Sequence, residues 1–117
     1  MYCCYSSKAS KTKEPIKVKT ANDHELEGNK FYAEGDYKKA VESYNQSLAI
    51  ESKNAVIHTN KGLALQKLGQ LEDALKSFDE ALEKDPEGAK SIAANTATYR
   101  DSLLEEIEKA NNAKERP

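Results

Sequence analysis

From residue 21 onward, apolar and small side chains return every three or four positions, in segments roughly three to four turns long. Polar clusters (EGD, SKN, LGQ and DPEG) separate the segments. Ala40, Tyr44, Ser47 and Leu48 fall at i, i+4, i+7 and i+8, the spacing of one apolar stripe on an amphipathic helix. Ala74, Phe78, Ala81 and Leu82 repeat the same stripe. Beyond Pro86 and Gly88 the stripe is longer: Ile92, Thr96, Tyr99, Leu103, Ile107 and Ala110 follow one another in steps of three or four. The pattern predicts two short helix pairs and then one continuous helix of about six turns. Residues 1–20 show no sustained period.

The two pairs are copies of one another. An offset of 34 residues superposes Ala21 on Ala55, His24 on His58, Gly28 on Gly62 and Gly35 on Gly69. It also superposes Ala40 on Ala74, Ser43 on Ser77 and Leu48 on Leu82. Like pairs fill the same register: Phe31 with Leu65, Tyr37 with Leu71, Val41 with Leu75, Tyr44 with Phe78. Gly28 and Gly62 fall inside helical segments, where glycine costs about 1 kcal/mol relative to alanine. That cost is expected where a neighbouring helix comes close, with Ala40 and Ala74 as the small partners. Gly35 and Gly69 stand where each first helix should end, and suit a left-handed residue there. One helix pair cannot bury its own apolar face; stacking a second pair makes a core.

A 34-residue unit with His24, Gly28, Phe31, Gly35, Ala40, Tyr44, Ser47 and Ser52, echoed by His58, Gly62, Leu65, Gly69, Ala74, Phe78, Ala81 and Pro86, resembles the tetratricopeptide repeat (TPR). The resemblance implies an all-α fold, an α-solenoid of helix–turn–helix repeats. Histidine stands where that family usually has tryptophan, and Ser52 where it usually has proline. A third copy would need glycine at position 103, which is Leu103. The expected organisation is a basic arm at 1–20, disordered for want of apolar surface, repeats at 21–54 and 55–88, and a capping helix at 89–113. The capping helix covers the exposed face of the second repeat. Its second half, with Leu104 and Ile107, is expected to overhang the repeats as a hydrophobic handle for self-association or for another chain, the alternative being a structural subunit of a larger assembly.

Charge divides the chain. The net charge of −2 conceals an arm at +4, with five lysines against Glu14, and a body at −6. The body has no basic stripe interleaved with aromatics, so nucleic acid is not an expected partner. No apolar run approaches the ~18 residues that a bilayer span needs, and the first residues lack the ~7–15-residue apolar core of a secretion signal. Cys3 and Cys4 are adjacent and form no disulfide framework, so a reducing cytoplasm is the expected compartment. Beside the arm's lysines they are candidates for reversible palmitoylation, which would tether an otherwise membrane-free protein.

Catalytic chemistry finds no residues to carry it. His24 and His58 occupy equivalent positions and read as packing residues, no further ligands complete a metal site, and no glycine-rich loop cradles phosphate. The sequence predicts a non-enzymatic interaction module without cofactor or metal. Solenoid repeats offer a concave groove, and the positions that the helices need not bury include Glu25, Asn29, Tyr32, Thr59, Asn60, Leu63, Lys67, Lys90 and Ala94. Amides and an ammonium suit extended peptide backbone and a carboxylate. The expected peptide contacts are Asn29, Asn60 and Lys90, with Tyr32, Leu63 and Lys67 beside them.

A subset of TPR co-chaperones holds the Glu-Glu-Val-Asp end of heat-shock chaperones in a carboxylate clamp of lysine, arginine and asparagine side chains. The resemblance places its positions at Glu25, Asn29, Asn60, Lys90 and Ala94. The two asparagines and Lys90 match; Glu25 and Ala94 stand where cations would be. Lys61 and Arg100 are candidates to compensate. The partner is expected to be a peptide or protein segment, a chaperone tail among the possibilities, bound by an adaptor.

Overall fold

The computed structural model describes residues 18–84 and 90–115, with the side chains of 90–94 and 115 outside the description. Among the described residues five helices follow in order: α1 (Ala21–Ala33), α2 (Tyr37–Ile50), α3 (Ala55–Lys67), α4 (Leu71–Lys84) and α5 (Lys90–Glu115). They form an all-α stack of two helix pairs, α1 on α2 and α3 on α4, with α5 laid against α4 and touching α3.

Local chemistry sets the helix ends. Thr20 caps α1 by accepting from the Asp23 amide, and the Asp23 carboxylate accepts from the Thr20 amide in return. This reciprocal pair satisfies two of the otherwise orphaned amides. Lys19 Nζ reaches Glu27 at 2.5 Å. Lys19 and Thr20 thus contact the first helix; the rest of the expected arm, residues 1–17, lies outside the described residues. Asp36 caps α2 and Asn54 caps α3, each through a side-chain oxygen. At the ends of α1 and α3, Gly35 and Gly69 adopt φ of 83° and 82°. The amide after each glycine returns to the carbonyl five residues back, Asp36 to Phe31 at 2.9 Å and Gln70 to Leu65 at 3.0 Å. This is the left-handed helix stop that glycine accommodates without steric penalty.

The core follows the predicted stripes. Ala40, Tyr44, Ile57 and Ala64 form one buried cluster, and Leu65, Ala74, Phe78 and Leu103 a second, with Val41 packed against both. The helical glycines serve a different contact from the one expected. A Cβ on Gly28 would stand 2.6 Å from the Tyr44 ring, and one on Gly62 2.6 Å from the Phe78 ring. The nearest atoms are ring carbons, not the methyls of Ala40 and Ala74. Each repeat sets its aromatic ring against the notch left by its own glycine.

Buried polar groups tie the layers together. Ser47 Oγ donates to the Ala21 carbonyl at 2.7 Å. Thr59 Oγ1 lies 3.0 Å from the Ala55 carbonyl and shares a 2.8 Å hydrogen bond with the Thr96 hydroxyl, joining α3 to α5. His58 is buried, and its Nε2 lies 2.9 Å from the Ser52 carbonyl. A carbonyl can only accept, so Nε2 carries the proton. The histidine thus does more than fill space: it anchors the inter-repeat turn at the position where the family's proline is missing.

The long helix covers the second repeat through Thr96, Leu103 and Ile107. Leu103 is fully buried and Ile107 packs on its cluster. Ile107 is therefore part of the core, not an overhanging handle; Leu104 alone of that pair is exposed, at 38%. No helix among the described residues is long and apolar enough to cross a membrane. Cys3 and Cys4 lie outside the described residues.

Candidate peptide-binding groove

Helices α1, α3 and α5 present one face as a continuous depression. At its head, Asn29 and Tyr32 from α1, Tyr44 from α2, and Asn60 and Leu63 from α3 line a pocket. Val56, Thr59, Asn60, Leu63, Asn95 and Tyr99 line the next stretch. Tyr32, Leu63, Gln66, Lys67, Tyr99 and Glu106 line its far end. Leu63 belongs to all three, and so marks the floor.

Three polar groups meet at the head. Tyr44 is only 1% exposed, and a buried hydroxyl requires a partner. It donates to Asn29 Oδ1 at 2.6 Å, and Asn60 Nδ2 reaches the same oxygen at 3.5 Å. With its oxygen so occupied, Asn29 keeps its two N–H donors for a ligand, while Asn60 keeps its own carbonyl oxygen. Burial pushes the Tyr44 hydroxyl up to about 12, with Tyr32 and the Glu25 carboxylate adding to the effect. The phenol is therefore a donor throughout the neutral range. Glu25 lies one turn before Asn29 and is half-buried.

At the far end, Gln66 Nε2 donates to Glu106 Oε1 at 2.8 Å, spanning α3 and α5. The Tyr99 ring sits 6.2 Å from that of Phe78 and is 38% exposed, so one edge serves the core while the rest faces the groove. Tyr32 meets Tyr37 edge-on at 5.1 Å, which fixes its ring at the groove wall.

Five of the six peptide contacts expected from the sequence come together along this face: Asn29, Tyr32, Asn60, Leu63 and Lys67. Lys90 opens α5, but its side chain is outside the described residues, as is that of Ala94. Neither proposed compensating cation joins them. Arg100 pairs with Asp79, and Lys61 lines a separate depression with Val41, Asn45 and Lys76. Sequence reasoning missed Tyr44, Asn95, Tyr99, Gln66 and Glu106. Tyr44 and Tyr99 read as core because they lie on apolar stripes, though tyrosine carries a hydroxyl that must find a polar edge. Among the described residues, no three histidine, cysteine or acidic side chains gather as metal ligands.

Comparison with known proteins agrees with this architecture. The family model described as "TPR repeat" matches residues 28–69, and that described as "Tetratricopeptide repeat" matches 55–87, so that together they span about half of the chain. Sperm-associated antigen 1 of Rattus norvegicus is 40% identical over 79 residues, which is 68% of this chain and 8% of the rat protein. The chain thus spans less than a tenth of the length of that relative. The second TPR domain of human RPAP3, solved with the HSP70 peptide SGPTIEEVD, matches with a TM-score of 0.61 at 27% identity, over 79% of this chain and 75% of that one. The second TPR of Spaghetti (RPAP3), bound to the HSP90 peptide SRMEEVD, matches with a TM-score of 0.59 at 26% identity, over 80% and 88%. Repeat length, helix stops, aromatic-on-glycine packing and these matches agree: the chain belongs to the tetratricopeptide repeat family.

Proposed function

We propose that the chain is an adaptor module that holds an extended segment of another protein in the α1–α3–α5 groove, the C-terminal tail of an Hsp70- or Hsp90-type chaperone being the ligand class its neighbours suggest. The division into repeats at 21–54 and 55–88 with a capping helix at 89–113 belongs to the same reading. The observation that carries it is the Tyr44–Asn29–Asn60 cluster. A buried tyrosine engages the Asn29 oxygen and leaves its N–H donors for the backbone carbonyls or carboxylates of an extended peptide. Tyr32, Leu63 and Tyr99 supply apolar surface for the peptide's side chains, and Lys67 supplies a cation. Lys90 is the further contact that the resemblance assigns.

Calorimetric titration of the full chain with SGPTIEEVD tests this. Saturable heats that weaken by about tenfold in Asn60→Ala, equivalent to one hydrogen bond to a charged group, are the expected result. Absence of saturable binding, or binding indifferent to Asn60→Ala at unchanged thermal midpoint, rejects it.

A further inference from the structure

Glu25 puts an acid on α1 where the clamp resemblance would have a cation. Glu25 shares the groove face of α1 with Asn29, four residues on. Its repeat equivalent is Thr59, which itself lines the groove. The Glu25 charge adds, after burial and Tyr32, to the rise of the Tyr44 hydroxyl pKa. Glu27 of the same helix is committed to Lys19, and Asp23 to the capping box. Glu25 has no ion pair or hydrogen bond among the described residues. Of the cations near the groove whose side chains are described, Arg100 holds Asp79, Lys61 lines another depression, and Lys67 lies at the groove's far end. At the head, Asn60 retains a carbonyl oxygen and Asn29 has spent its own on Tyr44 and Asn60. The groove side of α1 thus carries a carboxylate one turn before the Asn29 amide, and α3 adds the Asn60 oxygen.

We infer that Glu25 is the specificity-determining residue of the groove, selecting an extended peptide that places a lysine or arginine side chain at the head over one that places a free terminal carboxylate there. This rests on the peptide-groove reading above. A cation facing Glu25 makes a charge-assisted hydrogen bond, and the Asn60 oxygen takes a second donor. A carboxylate in the same place meets like charge at close range, where the half-buried setting weakens screening. One charge-assisted hydrogen bond, set against one repulsion, gives a preference of about tenfold or more.

The test uses the full chain and three fluorescent peptides on one scaffold: SGPTIEEVD as free acid, the same as C-terminal amide, and SGPTIEEVK as amide. Anisotropy is read for wild type, Glu25→Gln and Glu25→Lys. Both variants keep good helix formers at a partly exposed site, and thermal midpoints check that they fold. Wild type should bind the lysine peptide about tenfold or more tighter than the free acid. Glu25→Gln should flatten that ratio, Glu25→Lys should invert it, and added salt should shrink it in both directions. If all three peptides bind and the ratio is the same in wild type and Glu25→Lys, the selectivity assigned to Glu25 is wrong while the groove stands. If no peptide binds any form, the groove reading falls and this inference falls with it.

Discussion

The hydroxyl of Tyr44 lies 2.6 Å from Oδ1 of Asn29, so the ring that fills the Gly28 notch also orients the amide at the head of the groove. Core and site share one side chain. Tyr44→Phe keeps the ring and removes the donor, and should cost about 0.5–1.5 kcal/mol of stability. It should also weaken peptide affinity several-fold, because Asn29 becomes free to turn. Paired denaturation and titration of the variant check both effects; a change in stability alone would separate the tyrosine from binding.

The same hydroxyl makes stability sensitive to alkali. Its pKa is raised from an ordinary 10.0 to about 12, chiefly by burial, so the folded state holds this proton more tightly than the unfolded state does. The corresponding stability is fully present below pH 10 and is lost as pH rises through about 12. Urea midpoints of wild type minus those of Tyr44→Phe, followed across that interval, should fall. A flat difference curve would contradict the burial of the phenol.

Gly62 faces the Phe78 ring at a distance no Cβ can share. Gly62→Ala gains about 1 kcal/mol of helix propensity but forces a fully buried ring to move, an overpacking cost of typically 1–3 kcal/mol. The net expectation is destabilisation, whereas Gly62→Ala with Phe78→Leu should recover part of it. Thermal denaturation of the single and double variants decides. Stabilisation by Gly62→Ala alone would mean the ring is not where the notch places it.

Leu103 stands where a third repeat would have its turn glycine, and it is fully buried against Phe78 and Leu65. Leu103→Ala should cost about 2–5 kcal/mol, and hydrogen exchange should then speed up throughout α5 and at Leu65. Thr96→Val, which removes the hydroxyl hydrogen-bonded to Thr59, should cost about 0.5–1.5 kcal/mol and loosen the same helix. Unchanged exchange in α5 after either substitution would show that the helix is held by other contacts.

The two helix pairs, their glycine stops and the long last helix were legible because each rests on periodicity or on a residue with a narrow conformational role. Stripes at 40, 44, 47 and 48 and at 74, 78, 81 and 82 can be satisfied in one way. Asn29 and Asn60 were legible as groove residues because polar side chains between apolar stripes must face outward. Tyr44 and Tyr99 were not, because spacing places a ring but says nothing of where its hydroxyl or open edge points. Gln66 and Glu106 lie 40 residues apart in sequence and meet only once the angle of α5 is fixed. The role of His58 was half visible: its burial followed from the repeat, whereas its bond to Ser52 depends on the path of a turn that no period encodes.

The most direct test of the groove is a nitrogen–proton correlation spectrum of the labelled chain during titration with an extended SGPTIEEVD peptide. Saturable shifts are expected in the side-chain amides of Asn29 and Asn60 and in the backbone of Tyr32, Leu63 and Tyr99. The depression around Val41, Asn45 and Lys76 should stay unmoved. Shifts confined to that second depression, or no saturable shift at Asn29 and Asn60, would contradict a peptide-binding role for the groove.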